Sequence, residues 1–344
     1  MRAIPVLRVE VARGSDYDRP MAQSIVIESH GGPEVLRARE VPVGSPGAGE
    51  VRLRQTYAGV NFHDVYVRSG QYRTLQPPGV PGIEAVGVVE ELGPGVSGLR
   101  VGDRIGYVTR SYGCYASERL LPAHLAIPLP PDVDDRTAAS VLLKGLTVEM
   151  LVHRVHRIAA GQWVLVQAAA GGVGQLLVQW AARLNARVIG TVGSPAKVDL
   201  ARAAGCEEVI LYREQDVAQR VAAITGGRGV DVVYDGVGHD SFAGSLASLA
   251  MCAHLVNFGQ ASGPVPPLAM SDLQARSTTV SRPVVFHYAA QPGALQAMSA
   301  ALFEALASGA LRVPDPIEFP LAEAAAAHAL LEGRSVTQAI ILKT

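Results

Sequence analysis

Residues 165–184 read LVQAAAGGVGQLLVQWAARL. The apolar run LVQAAA gives way to Gly171, Gly172 and Gly174, and then to an amphipathic segment. The first part has the length and composition of a buried strand, and the last has apolar residues at helical spacing. A strand that ends in glycines opening a helix makes an anion cradle. The amides of the first helical turn lack intrahelical acceptors and carry partial positive charge. In the dinucleotide fingerprint G-x-G-x-x-G, Gly171 and Gly174 fill the second and third positions, and Ala169 replaces the first. Gly171 would let a diphosphate approach the backbone, and Gly174 would let the helix pack on the strand.

The surroundings support a nucleotide site. WVLVQAAA, ARVIGTVG, EEVILY, VDVVYDGVG and CAHLVNFGQ are short, apolar and β-branched, and helical patterns alternate with them. Such a βαβ series implies a parallel sheet covered by helices on both faces. Upstream, residues 21–130 differ. SIVIES, EVRLRQTYAGV, EAVGVVEELG, DRIGYV and HLAIPLP are β-like runs separated by Gly/Pro turns, which reads as an irregular, largely antiparallel domain. DDRTAASVLLKGLTVEMLVHRV then reads as a helix capped by Asp134 or Asp135. The end, PIEFPLAEAAAAHALLEGRSVTQAIILKT, reads as strand, Ala-rich helix and closing strand.

The second strand of the series decides the nucleotide. An NAD site wants a carboxylate at its tip for the ribose hydroxyls. Here the strand ends TVGSPAK, with Gly193, Ser194 and Lys197 and no acid until Asp199. An acid would repel a 2′-phosphate, whereas a small polar residue and a cation accept one. NADPH is therefore favoured over NADH.

The 344 residues are 49% hydrophobic and 18% charged, with net charge −1. That length suits about two domains, and the balance disfavours a nucleic-acid or anionic-membrane partner. No apolar run is long enough for a transmembrane helix. Cys114, Cys206 and Cys252 are widely spaced, so neither a zinc ribbon nor a disulfide framework is implied and a reducing cytoplasm is expected. Residues 1–20 lack a signal peptide's apolar core. Either Met21 is the natural start, or residues 1–20 form a loosely held extension outside the core.

From Met21 onward the chain resembles the zinc-independent, zeta-crystallin-like quinone oxidoreductases of the medium-chain dehydrogenase/reductase superfamily. The matching stretches are NFHDVYVRSGQY (61–72), PGIEAVGVVEELGPGV (81–96), LLKGLTVEML (142–151), AAAGGVGQ (168–175), VIGTVGSPAK (188–197), VILYREQD (209–216), VDVVYDGVG (230–238) and NFGQASG (257–263). The resemblance implies an α/β protein. A GroES-like, mainly β catalytic domain would span 21–143 and 289–344, and a Rossmann-type NADPH domain 144–288. It implies a homodimer paired through an edge strand near STTVSRPVVF (277–286). Lys197, Tyr212 and Arg334 match positions that hold the 2′-phosphate. Asn61, Tyr66 and Tyr72 match polar residues around nicotinamide and substrate, and Asp64 matches a structural acid of that motif. Thr147, Ala170, Gly171, Gly172, Val173, Gly174, Gly193, Ser194, Phe258 and Gln260 complete the implied coenzyme contacts. Gln260 departs from the Asn common in close relatives.

Zinc-dependent relatives place a Cys where this chain has Asn61 and a His where it has Ile83, before Glu84; TAASVLLKGLT (137–147) supplies no third ligand. His63 alone does not make a site, since a catalytic zinc takes about three protein ligands. Without a Lewis acid the acceptor must be electron-poor already: a quinone, or as the nearest alternative an enone or 2-enoyl thioester. Tyr72 is the first candidate proton donor, with Tyr66 and Asn61 in support. A reading of another class is a non-catalytic NADPH-binding structural or RNA-binding protein.

Overall fold

The computed structural model describes residues 21–344; the expected 1–20 extension lies outside the described residues. The described chain forms two compact units, one running to Leu143 and resuming over Val313–Thr344, the other spanning Lys144–Arg312.

In chain order the first unit contains β1 (Met21–Val26), β2 (Arg37–Pro42), β3 (Glu50–Val60), α1 (Phe62–Ser69), β4 (Glu84–Leu92), β5 (Arg104–Val108), β6 (Glu118–Pro122) and β7 (Ile127–Pro128). α2 (Asp135–Glu149) follows. Asp134 caps it, its carboxylate accepting from the Thr137 amide at 2.7 Å. The helical pattern that the sequence extends to residue 155 ends instead in a π-helical turn, Met150–Val155.

The second unit continues with β8 (Trp163–Val166), α3 (Gly172–Arg183), β9 (Arg187–Val192), α4 (Val198–Ala204), β10 (Glu208–Leu211), α5 (Val217–Ile224), β11 (Val230–Asp235), α6 (Phe242–Ala247), β12 (Leu249–Asn257), β13 (Thr279–Ser281), α7 (Val285–Ala289) and α8 (Ala294–Ala307). The chain closes with β14 (Ile317–Pro320), α9 (Ala324–Glu332) and β15 (Ile340–Lys343). The return to the first unit falls at residue 313, where the sequence placed it near 289. α7 and α8 belong to the second unit.

The first unit's main sheet runs β14-β15-β3-β4-β5-β7, with β6 also on β3. Every pairing in it is antiparallel except β14 with β15. β15 joins β3, so the last residues complete the sheet begun near the N-terminus. The second unit is a parallel sheet ordered β10-β9-β8-β11-β12-β13. Its strands are apolar because helices cover them, and Leu165, Ile189, Ile210, Val233 and Leu255 are fully buried. The order reverses across β8, whose carboxyl end carries the glycine loop. A doubly wound sheet binds nucleotides at such a switch point. No helix among the described residues is long and apolar enough to cross a membrane.

Candidate active site

In the second unit Gly171 is the N-cap of α3, with extended backbone and no side-chain cap. Gln175 N–H makes the first helical bond, to the Gly171 carbonyl at 2.9 Å. The amides before it, at Gly172, Val173 and Gly174, lie in the first turn, where the helix supplies no acceptor. Gly174 is required by packing, because a Cβ there would stand 2.2 Å from the Ala168 carbonyl oxygen and 2.9 Å from Ala169 Cα. Ala168 itself has φ +54°. Ala170 is buried, and its carbonyl accepts from the Gln175 side chain at 2.9 Å. The bare, donor-rich turn fits a diphosphate.

That loop rests on a buried polar chain which the sequence reading missed. Ala168 N–H donates to Thr191 Oγ1 at 3.2 Å, and Thr191 Oγ1 donates to Gln167 Oε1 at 2.7 Å. Gln167 Nε2 donates to Ser245 Oγ, and Ser245 Oγ donates to Asp235 Oδ2, both at 2.9 Å. Asp235, at the carboxyl end of β11, is fully buried. It also accepts from the Val237 and Gly238 amides and from Ser241. Every donor in the chain therefore meets an acceptor.

Beyond β9, Ser194 stands at the N-cap position of a turn formed by Pro195–Lys197, its side chain making no capping bond. Tyr212, 47% exposed, lies over Gly193; a Cβ at Gly193 would come within 2.7 Å of the phenol oxygen. Asp199 is exposed. Phe258 and Gln260 follow β12. The Phe258 amide donates to the Asp235 carbonyl, and Arg282 Nη1 donates to the Gly259 carbonyl at 2.8 Å. Thr147, on α2, is half-buried.

In the first unit Asn61 is the N-cap of α1. Its amide donates to Asp64 Oδ2 at 2.9 Å, and its Nδ2 donates to Glu84 Oε1 at 2.7 Å. Glu84 is fully buried, and its other oxygen accepts from the Leu143 amide at 2.7 Å. A carboxylate only accepts, so Asn61 must turn Nδ2 toward it, which leaves Oδ1 as the acceptor it can offer a ligand.

One turn later Tyr66 packs edge-on against Tyr72, with ring centroids 5.1 Å apart, and the Tyr72 amide donates to the Tyr66 carbonyl. His63 meets Tyr72 edge-on at 5.5 Å and stacks on Tyr112 at 6.0 Å. Burial, aided by the Arg110 charge, pushes the His63 pKa down to about 4. The result is an aromatic wall with neutral polar edges, suited to a flat ligand. The residues at the zinc positions do not fit that ion: Asn61 and Glu84 are spent on each other and on the Leu143 amide. Among the described residues no group of three or more His, Cys, Asp or Glu could hold a metal.

Asn61, Tyr66, Tyr72 and Arg334 belong to the first unit. Thr147, Lys197, Tyr212, Phe258, Gln260 and the glycine turn belong to the second. Arg334 is exposed just after α9, with φ +53°.

Comparison with known proteins decides the family. Residues 47–131 match the model of the alcohol dehydrogenase GroES-like domain, and residues 172–300 match that of zinc-binding dehydrogenases. The chain is 42% identical to a quinone oxidoreductase of Pseudomonas aeruginosa, covering 94% of this chain and 99% of the relative. The chain belongs to the zeta-crystallin-like quinone oxidoreductases of the medium-chain dehydrogenase/reductase superfamily.

This family member is also 44% identical to a 2-haloacrylate reductase from a Burkholderia species, over 94% of this chain and 99% of that one. Among solved structures, Escherichia coli quinone oxidoreductase complexed with NADPH superimposes with TM-score 0.90 at 38% identity, covering 94% of this chain and all of that one. The quinone oxidoreductase of Pseudomonas syringae pv. tomato gives TM-score 0.92 at 42% identity, with the same coverage. The Rossmann-type and GroES-like expectation agrees with these relatives.

Proposed function

We propose that this oxidoreductase reduces quinones with NADPH and without a metal. The observation that carries the reading is the pairing of Asn61 with Glu84, where zinc-dependent relatives hold a metal ligand, in a chain whose relatives at 38–42% identity are quinone oxidoreductases. NADPH supplies a hydride when bound. The α3 amides would hold its diphosphate, with Ser194, Lys197, Tyr212 and Arg334 gripping the 2′-phosphate. Two cations and two hydroxyls there favour NADPH over NADH. Asn61, Thr147, Phe258 and Gln260 would seat the nicotinamide end, and Asn61 Oδ1 would orient the carboxamide.

Tyr66 and Tyr72 would wall a planar acceptor, with the Tyr72 hydroxyl as proton donor. A quinone accepts hydride into a system that becomes aromatic, and its oxygens can take protons from water. An activated alkene instead needs a proton placed on carbon. The 44% identical 2-haloacrylate reductase supports such an alkene as the second substrate class.

The protein would act as a homodimer in the cytoplasm. The open edge at β13, flanked by exposed Met270, supports pairing. Cys114 and Cys206 are buried free thiols, as a reducing compartment would keep them.

The test is coenzyme consumption with phenanthrenequinone, naphthoquinone, 2-chloroacrylate and crotonyl-CoA, using NADPH and NADH in parallel. Quinone turnover with NADPH is expected to lead, and Lys197→Ala should weaken NADPH about tenfold while sparing NADH. Tyr72→Phe should cost about 10²-fold on any alkene turned over and much less on quinones. Turnover confined to the acrylate would replace the quinone reading, and preference for NADH would remove the phosphate grip.

A further inference from the structure

A second polar chain, buried from Arg68 onward and reaching Asn61 through Asp64, has no part in the reading above. It begins at Glu332, near the end of α9, which pairs with Arg68 through both guanidinium nitrogens at 2.8 Å. Arg68, on α1, is 2% exposed, and its Nη1 lies 3.3 Å from Nδ1 of His328, also fully buried on α9. His328 Nε2 lies 3.0 Å from the Tyr115 hydroxyl, and that hydroxyl donates to Asp64 Oδ2 at 3.1 Å. The same Asp64 oxygen accepts the Asn61 amide.

The direction of each bond follows from chemistry. A guanidinium has only donors, so Nδ1 of His328 accepts and its proton sits on Nε2. Nε2–H then donates to the Tyr115 oxygen, leaving the phenolic hydrogen for Asp64. Burial and the Arg68 charge hold the His328 pKa down to about 3, so the ring is neutral and keeps this tautomer. The residues involved come from α9, α1 and the segment after β5. They are 213 and 260 positions apart along the chain at the His328 bonds. A packing role alone would be met by apolar side chains at lower desolvation cost.

We propose that His328 and Tyr115 are positioning residues for the reaction: through Asp64 they fix the backbone at Asn61, and with it the Oδ1 that would orient the nicotinamide carboxamide. The inference rests on the proposed nicotinamide role of Asn61. Losing the Tyr115 hydroxyl releases one of the donors that locate Asp64 Oδ2. Asn61 then keeps Glu84 but loses its fixed N-cap, and coenzyme orientation suffers more than coenzyme affinity, which the phosphate grip dominates.

The test is a double-mutant cycle on the full chain: Asn61→Ala, Tyr115→Phe and the pair, with kcat on phenanthrenequinone, the NADPH Kd from coenzyme fluorescence, and thermal melting. Tyr115→Phe is expected to lower kcat about fivefold with Kd held within about twofold, and the pair to be no slower than Asn61→Ala alone. His328→Leu should repeat the loss. His328→Gln, whose amide can accept from Arg68 and donate to Tyr115, should restore most of the kcat; this comparison decides the matter if Tyr115→Phe folds poorly. Losses that multiply in the pair, an unchanged kcat in Tyr115→Phe, or His328→Gln as slow as His328→Leu would overturn the proposal while leaving Asn61 its role. An unchanged kcat in Asn61→Ala would remove the nicotinamide reading of Asn61, and the positioning role with it.

Discussion

The two units each bury a carboxylate beside a helix N-terminus and satisfy it by different routes. Asp235 takes its direct partners from Val237, Gly238, Ser241 and Ser245, all within ten residues along the chain. In the first unit Asp64 reaches Tyr115, 51 positions on, and Glu84 reaches Leu143, 59 positions on. In the parallel sheet the carboxyl ends of strands collect in one layer, so a strand-end acid meets the turn that follows it. In the antiparallel unit α1 and β4 carry the acids, and besides Asn61 their donors arrive from later segments. Disrupting the local network should therefore damage one unit, and disrupting the long-range one should disturb how separate segments are held.

The largest expected effect separates these cases. Asp235→Ala leaves two hydroxyls and two amides without their acceptor, and orphaned buried groups cost about 1–3 kcal/mol each. A loss of at least about 3 kcal/mol in urea denaturation is expected, with coenzyme binding lost alongside, because the same chain ends at Ala168. A variant with unchanged urea midpoint and unchanged NADPH affinity would show that the local network carries no weight.

A smaller effect tests whether the glycine turn is tuned by its own packing. Gly174→Ala puts a methyl carbon 2.2 Å from the Ala168 oxygen, so α3 must move away from the end of β8. Overpacking of this kind costs about 1–3 kcal/mol, and displacing the amides should weaken NADPH about tenfold or more. Calorimetric titration would show it, and a tight-binding Gly174→Ala would mean the turn tolerates the shift.

This contrast also explains what could be read from sequence. The βαβ alternation, the role of Gly174 and the closing strand are visible because each depends on residues close together in the chain or on a strong period. β15 pairing with β3 was legible only as a possibility, since nothing local names a partner strand. The second crossing between units was misplaced because α7 and α8 carry helical patterns that suit either unit. Thr191 and Gln167 looked like ordinary strand residues, and their polar tips become notable only when two strand ends are seen side by side. His328 lay in an alanine-rich helix, with no local signal that Arg68 and Tyr115 would meet it. Asp64 was expected to be structural only through its match to a family motif, and nothing in the sequence pointed to the Tyr115 bond.

The smallest effect sharpens the comparison through pH. A histidine in an unfolded chain titrates near 6.5, whereas burial, aided by the Arg68 charge, pushes the His328 pKa down to about 3. Between those values the unfolded chain holds a proton that the folded one lacks. Stability from this group is therefore fully present above pH 6.5 and falls as pH drops toward 3, by up to about 1.4 kcal/mol per pH unit. His63 in the first unit and His254 in the second, both lowered to about 4 chiefly by burial, act in the same direction. His328→Gln removes one titrating group while keeping a donor and an acceptor in its place. Urea denaturation at pH 7.5, 6 and 5 should show the variant's stability falling less steeply than the parent's. Parallel curves across that range would mean that His328 takes up its proton without unfolding. The Arg68–His328 bond would then be one the first unit can do without, unlike the short-range bonds around Asp235.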